Sequence, residues 1–470
     1  MIFNSFSFVI IFPILFLGYY LIPSGANKLR NIYLLIVSYL LYMKFSALAA
    51  VVLFGVTLIT YLFALGFRQN VKHKKIIVSI GVVLSILPLA IFKYADFLTG
   101  IVDDLFDIMG VGTSIPGLNW IIPIGISFFT FQSVGYLIDV YRQKIEPERD
   151  FINYALFISF FPSIVSGPIN KASLLLPQIK NERTYFDYAK AVCGLKLLLW
   201  GMFMKVVVAD RVGLYVDTVY VAYQNYSGIT CFVASVLYSI QIYADFAGYS
   251  LMALGIGKVL GFELTENFKR PYFSTSVTSF WRRWHMSLST WLKDYIFISL
   301  GGSRCSKIRN YWNILVTFFV SGIWHGAGWS FIMWGLMHGV CQIVEKIVGQ
   351  NNTNYLGWRK TIKIAITFLI VNFAWIFFRF ENLSDALLFI ERIFTVSGIL
   401  YLPEKANTVF ILLGVGMLLL KDVIDEFYPN NVKMMDNKNS VIRWFSYISI
   451  FVIIMLCGVF DAGQFIYANF

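Results

Sequence analysis

The chain of 470 residues is 58% hydrophobic and carries charge at only 14% of its positions, against about 25% in a soluble protein, which excludes a water-soluble globule. Lys and Arg number 38 against 26 Asp and Glu, a net charge of +12. These basic residues sit between apolar runs, so they read as topology signals and contacts to anionic lipid, with no nucleic-acid partner expected.

The predicted fold is an all-α polytopic membrane protein. Clear apolar runs lie in chain order at 6–22, 46–67, 75–95, 121–141, 361–379, 408–420 and 444–461. Shorter or mixed runs lie at 31–43, 152–166, 190–208, 229–260, 311–324 and 329–346. Several of these carry Gly, Pro or polar residues, and broken elements of that kind persist at membrane depth only inside protein or beside an aqueous cavity. The expected total is about ten to twelve transmembrane and re-entrant elements. No fixed-period repeat or low-complexity linker divides the chain, so 1–470 reads as a single integral-membrane domain. The N-terminal run has no basic region before it and reads as a retained span, not a signal peptide. Five scattered cysteines give neither a disulfide framework nor a zinc knuckle.

Loop charge predicts orientation. Residues 68–75 hold Arg68, Lys72, Lys74 and Lys75 and should be cytoplasmic, whereas 96–119 hold Asp96, Asp103, Asp104 and Asp107 with no Lys or Arg and should face outward. Counting back through the earlier runs puts the N-terminus outside. The basic stretches 358–363 and 421–443 are inside, which leaves the C-terminus outside as well.

The stretch 269–309 interleaves Lys269, Arg270, Arg282, Arg283, Lys293, Arg304, Lys307 and Arg309 with Trp281, Trp284, Trp291, Tyr272 and Tyr295. It is expected to lie at the cytoplasmic headgroups as an interfacial segment. Anchoring to lipid is the plainer reading of it, but a histidine stands inside.

Of four histidines in the chain, His73 lies in a basic loop and reads as a solvated surface residue. The other three, His285, His325 and His338, fall in FWRRWHMSLSTWLKDY and SGIWHGAGWSFIMWGLMHG. Ionisable residues within spans are functional hypotheses by default. His325 is followed by Gly326, Ala327 and Gly328, which permit a break between two half-spans and close approach of a ligand. Neutral imidazole is the form a general base needs. The competing reading is a structural histidine bonded to a neighbouring carbonyl. Beside His338, Gly335 and Gly339 suggest tight helix packing, so a packing or supporting role is as good a reading as catalysis. His285 either meets His325 at the mouth of a cavity or anchors its segment.

No metal is expected, since H-E-x-x-H is absent and no acidic ligand stands beside the histidines. Neither G-x-S-x-G nor a P-loop or Rossmann fingerprint occurs. Among polar residues in membrane runs, Asp139 and Arg142 read as internally paired. Asp245 is expected to pair with Lys258, or with Arg282 or Arg283 across the fold.

The segments SFFTFQSVGYLIDVYR, FFPSIVSGPI, YADFAGYSLMALGIGKVLGF, NFKRPYFSTSVTSFWRRWHMSLSTWLKDYIFISLGGSR and WHGAGWSFIMWGLMHG resemble the membrane-bound O-acyltransferases. Within that family the similarity is to the bacterial branch of alginate O-acetylases and D-alanyl-lipoteichoic acid transferases, and it runs over nearly the whole chain. It implies a ring of tilted helices around a thinned centre, crossed by a tunnel, in a bacterial inner or plasma membrane. It also implies that His325 matches the family's tunnel histidine and His285 the histidine of its cytoplasmic side. Ser163, Asn170 and Ser299 depart from the common pattern and are expected to tune the mouths for acceptor or donor.

The expected activity is transfer of an acyl group, acetyl by preference, from a cytoplasmic thioester to a hydroxyl. The donor is acetyl-CoA or an acyl carrier protein, and no bound cofactor is expected. His325 acts as base, Asp294 or a buried amide fixes its tautomer, and His285 positions the donor or stabilises the oxyanion. Trp324, Arg282, Arg283, His338 and Asp245 are supporting candidates. The resemblance implies an extracytoplasmic acyltransferase companion protein and a secreted or cell-wall polysaccharide as acceptor. Alternatives are D-alanyl transfer to teichoic acid, a transporter or flippase, for which an inverted repeat would speak, and a scaffold that binds carriers without chemistry.

Overall fold

Backbone groups cannot stay unpaired in hydrocarbon, which leaves helices or closed barrels as the spanning solutions. The computed structural model describes residues 3, 6–67, 73–110, 115–118, 120, 122–182, 186–349, 357–428 and 435–460, and among these the chain is helical with no strand. Among the described residues, seven helices are long and apolar enough to cross a membrane: Ala47–Leu65, Lys74–Ile108, Tyr188–Val221, Gly228–Val259, Trp358–Arg379, Lys405–Phe427 and Ser440–Cys457. The protein is a multi-pass, all-α membrane protein.

In chain order, α1 (Phe6–Leu21), α2 (Asn27–Met43), α3 (Ala47–Leu65) and α4 (Lys74–Ile108) precede α5 (Ile126–Tyr141). Short helices α6 (Phe151–Ser159), α7 (Phe161–Ile164) and α8 (Ala172–Lys180) follow. Next come α9 (Tyr188–Met202), a π-helical turn at Phe203–Ala209, α10 (Asp210–Val221) and the long α11 (Gly228–Val259). After two short helices, α12 (Val277–Trp281) and α13 (Met286–Leu292), and a second π-turn at Lys293–Phe297, the chain forms α14 (Lys307–His325) and α15 (Trp329–Ile347). It ends in α16 (Trp358–Arg379), α17 (Leu383–Thr395), α18 (Lys405–Phe427) and α19 (Ser440–Cys457).

Several elements differ from the sequence reading, each for a physical reason. The runs at 190–208 and 229–260 read as mixed because of their glycines, yet they lie in two of the longest helices. A Cβ on Gly194 would come within 2.5 Å of the Gly255 carbonyl oxygen, and one on Gly201 within 2.5 Å of the Gly248 oxygen. These glycines bring α9 against α11; they do not interrupt either helix. By contrast, the run at 121–141 becomes α5, only 16 residues long and buried along almost its whole length, so it is a core helix. Its first turn starts at Gly125, whose φ of 78° and approach to the Ile164 oxygen exclude a side chain.

Beyond the apolar run at 75–95, α4 continues through Asp96, Asp103, Asp104 and Asp107. Oδ1 of Asp103 accepts from the Ile115 amide at 2.8 Å, and Oδ1 of Asp96 from that of Leu118 at 2.6 Å, which ties the following segment back to the helix. The two expected half-spans are full helices of 19 residues each, about 28 Å long. Gly322 and Gly335 let them touch, since a Cβ on either would lie 2.4 Å from a backbone oxygen of the other helix. Of the basic residues in the 68–75 loop, Arg68 and Lys72 fall outside the described residues, as does the C-terminal end.

The aromatic side chains of the 269–309 stretch face the protein core, not outward as lipid anchors. Trp281, Trp284, Trp291 and Tyr295 are all less than 9% exposed, and Trp284 packs on Phe268, Phe280 and Trp375. The aromatic members turn into the protein because its core offers partners for their faces, which leaves Arg282 and Lys293 outside. Glu345 at the end of α15 clamps the start of α12 through the amides of Val277 and Thr278.

Candidate active site

His285 opens α13 in the left-handed conformation, with φ 41° and ψ 55°, a region sparsely populated by residues other than glycine. Two strand-like backbone bonds hold it there: the Met286 amide donates to the Asn267 oxygen at 2.9 Å, and the Lys269 amide to that of Arg283 at 2.9 Å. Oδ1 of Asn267 then receives three contacts, from the Ser287 amide at 3.1 Å, the Ser287 hydroxyl at 2.8 Å and Nδ1 of His285 at 3.1 Å. A backbone N–H can only donate, so the atom it meets is the amide oxygen and not the nitrogen. Nδ1 of His285 therefore carries the proton, and Nε2 presents its lone pair. No hydrogen-bond partner for that Nε2 occurs among the described residues.

His325 is the last residue of α14 and only 2% exposed. Its ring packs edge-on against Trp324, Trp334 and Phe378, with centroids 4.7, 4.8 and 5.1 Å away. Trp324 also meets the His285 ring at 6.1 Å, so one indole is shared by both histidines. On the other side, Trp334 meets His338 at 5.0 Å. His338 accepts at Nδ1 from the Trp281 indole N–H, 3.3 Å away, which places the proton of neutral His338 on Nε2. Three histidines separated in sequence thus alternate with tryptophans in one buried row. Gly335 and Gly339 beside His338 do pack closely, on Phe318 and Leu315 of α14.

The other candidates lie elsewhere. Asp294 pairs with Lys171 at 2.5 Å and with Lys293 at 3.8 Å, and touches none of the imidazoles; the amide that orients a histidine is Asn267, and the histidine is His285. Asp245 pairs neither with Lys258 nor with Arg282 or Arg283. Its partner is Lys205 at 2.7 Å, which also holds Asp210 at 2.8 Å. The π-turn at 203–209 swings Lys205 inward between the two carboxylates, where all three are at most 9% exposed. Breaking a buried pair costs about 3–5 kcal/mol. Lys205→Met should accordingly lower stability by about that amount, read as a lower denaturation midpoint in detergent, and an unchanged midpoint would show that this triad does not hold α11 in place.

Arg283 and Arg270 share Glu426 at 3.0 and 2.9 Å, fastening the segment to α18. Asp139 accepts from the Tyr295 hydroxyl at 2.6 Å, and Arg142 donates to the Asp294 carbonyl at 2.9 Å, so both are paired inside the protein. Arg282 is exposed and lines a cavity of about 580 Å³ between α12, α13, α14 and α15. Lys293 and Lys346 join it there with Trp281, and no carboxylate among the described residues lines this cavity. A second cavity of about 250 Å³ lies across the segment, and Asn267 forms part of its wall.

Three contributors escaped the sequence reading. Asn267 stands in NFKRPYF and shows no periodicity that marks it. Trp334 reads as one more aromatic in an apolar helix. Lys93 looks like a charge at the end of a span, yet it is 7% exposed and donates to the backbone oxygens of Trp324 and His325.

The sequence model described as MBOAT, membrane-bound O-acyltransferase family, matches residues 34–383. A protein of Pseudomonas aeruginosa named "Probable alginate O-acetylase AlgI" is 36% identical over 91% of this chain and 81% of its own length. The peptidoglycan O-acetyltransferase of Helicobacter pylori is 33% identical over 85% of this chain and 81% of its own length. The teichoic acid D-alanyltransferase of Bacillus subtilis is 27% identical over 80% and 97% respectively.

Proposed function

The chain belongs to the membrane-bound O-acyltransferase family and is an O-acyltransferase, and we propose that it transfers acetyl across a bacterial inner membrane for O-acetylation of a secreted or cell-wall polysaccharide. Acetyl is favoured over alanyl by the higher identity to relatives named O-acetylases or O-acetyltransferases, 33–38% against 27–28% for the D-alanyltransferases. The observation that carries the mechanism is the sharing of Trp324 by His285 and His325 in a buried row.

The donor is a thioester, of coenzyme A or of a carrier protein, and it enters from the basic face, which is the cytoplasmic one by the distribution of Lys and Arg. The cavity walled by Arg282, Lys293 and Lys346 suits its phosphates. An acceptor hydroxyl arrives from the opposite side. His325 takes its proton as the oxygen attacks the thioester carbonyl, the C–S bond breaks, and the proton passes to the departing thiolate. With its proton on Nδ1, His285 offers Nε2 only as an acceptor, which excludes the oxyanion role and leaves it to hold the donor through an amide N–H of the pantetheine arm. Imidazole base catalysis supplies about 10²–10⁴-fold, and alignment of two substrates between fixed aromatic walls adds to it. The acylated product leaves on the outer side, where a companion acyltransferase hands the group to the polymer.

The test is acyl transfer in proteoliposomes with labelled acetyl-CoA inside, comparing the wild type with His325→Ala. Label delivered outside by the wild type alone supports the reading. Transfer of D-alanine from a loaded carrier, with none from acetyl-CoA, would replace acetyl by alanyl. Equal activity of both proteins would remove His325 from the reaction.

A further inference from the structure

The last carbonyls of a helix have no partner within it. In α14 those are the carbonyls of the residues that carry the site, and they end inside the protein, where an unmet carbonyl is expensive. The Gly326 amide reaches back to the Gly322 oxygen, at 3.3 Å. Gly326 and Gly328 have extended backbone and cannot continue the ladder.

Two consecutive side chains of α4 meet this need. The Tyr94 hydroxyl donates to the Ile323 oxygen at 2.8 Å. Nζ of Lys93 donates to the Trp324 oxygen at 2.5 Å and to the His325 oxygen at 3.1 Å. Its ammonium also lies 5.9 Å from the centre of the Trp324 ring, the indole shared by His285 and His325. A cation at a helix C-terminus interacts favourably with the helix dipole. The depths agree as well. Lys93 is 19 positions along α4 and His325 is 18 positions along α14, about 28 and 27 Å from the basic ends of their helices.

We propose that Lys93 is a positioning residue for the reaction, with Tyr94 as its auxiliary: by holding the terminal carbonyls of α14 it stops the last turn from fraying and fixes the aim of the His325 imidazole. This rests on His325 acting at the reacting centre. A lysine buried in a membrane helix is retained for a partner, and here the partner is the backbone of the catalytic turn, not a carboxylate. A terminal helical residue is by default the most mobile of its helix, and a base misplaced by about 1 Å loses about 10²-fold in rate.

The chain has four histidines, so ¹³C-labelled histidine gives an NMR spectrum simple enough to read in micelles, with His325→Ala assigning the His325 signal. Lys93→Met should shift or broaden that signal while His73 and His285 stay in place, and Lys93→Arg, which keeps cation and donors, should restore it. In proteoliposomes Lys93→Met should lose about 10²-fold in kcat with the KM for the thioester within about two-fold, and Lys93→Arg should recover most of the loss. Tyr94→Phe should show the same pattern more weakly. Where Lys93→Met fails to assemble, Lys93→Gln, which keeps an amide donor, carries the same comparison. An unmoved His325 signal in the variant, or equal disturbance of all four signals, overturns the proposal. Because the spectrum does not depend on turnover, absence of acetyl transfer by the wild type would count against the acetyl reading and leave the positioning of His325 still decided by NMR.

Discussion

His325→Ala is expected to abolish transfer and to leave an assembled protein. Two features separate chemistry from folding at this position. The backbone of residue 325 is held from outside its own helix, since Lys93 bonds its carbonyl whatever side chain it carries. The walls of the imidazole are large rings from three different helices, with Trp324 on α14, Trp334 on α15 and Phe378 on α16, and Trp334 packs on Phe378 and on Trp375 as well as on the histidine. Removing a ring of that size leaves a small cavity, and the truncated protein should remain monodisperse in detergent with a modestly lowered midpoint. Loss of the base alone removes about 10²–10⁴-fold, enough to take a slow membrane transferase below detection. His325→Gln is the stricter control, because it fills most of the space and keeps hydrogen-bonding capacity without a basic nitrogen. It should fold as the wild type does and be as inactive as alanine. A glutamine variant with more than about a tenth of wild-type activity would show that position 325 supplies orientation or packing and no proton transfer.

The fold class and the cluster of three histidines are legible in the sequence, for reasons that are local. Apolar runs of the right length announce helices, and His285, His325 and His338 stand out because the chain has so few histidines. What was not legible depends on which helices become neighbours. Asp245 meets Lys205 forty positions earlier, and only the inward swing of a π-turn decides that; no charge near in sequence hinted at it. Asp294 reads in the sequence as a carboxylate to fix the His325 tautomer, but the turn beyond α13 carries it to Lys171. Glycines at 194, 201, 322 and 335 are ambiguous in a sequence, since the same residue interrupts one helix and seats another against its neighbour. The basic-aromatic stretch shows the same limit. Its composition suits a lipid interface, and only the presence of Trp375, Phe268 and Phe280 around Trp284 turns it inward.

The strained backbone at His285 leads to the second large effect. A non-glycine residue held at φ 41° stores about 1–3 kcal/mol, and the structure pays for it with the Asn267 knot. His285→Gly should therefore relax the turn and be more stable than His285→Ala, while losing about 10²-fold or more in kcat if, as proposed, the imidazole meets the donor. His285→Ala keeps the strain and should be as inactive as the glycine variant and less stable. Asn267→Leu separates the two roles from the other side. It leaves the imidazole but takes away the acceptor for Nδ1 and for the Ser287 amide and hydroxyl. The orphaned buried donors should lower stability by about 1–3 kcal/mol, and the freed ring, no longer restricted to one tautomer, should cost about 10²-fold in kcat. Asn267→Asp, which retains the accepting oxygen, should keep more activity than leucine. The decisive comparison is between stability and activity: by stability glycine at 285 ranks above leucine at 267, whereas by activity both fall far below the wild type. If His285→Gly were instead less stable than His285→Ala, the left-handed turn would be relaxed in the native protein, and the link between strain and the aim of the imidazole would be lost. If Asn267→Leu kept wild-type kcat while losing stability, Asn267 would serve only to join two loops, and the tautomer of His285 would have no bearing on transfer.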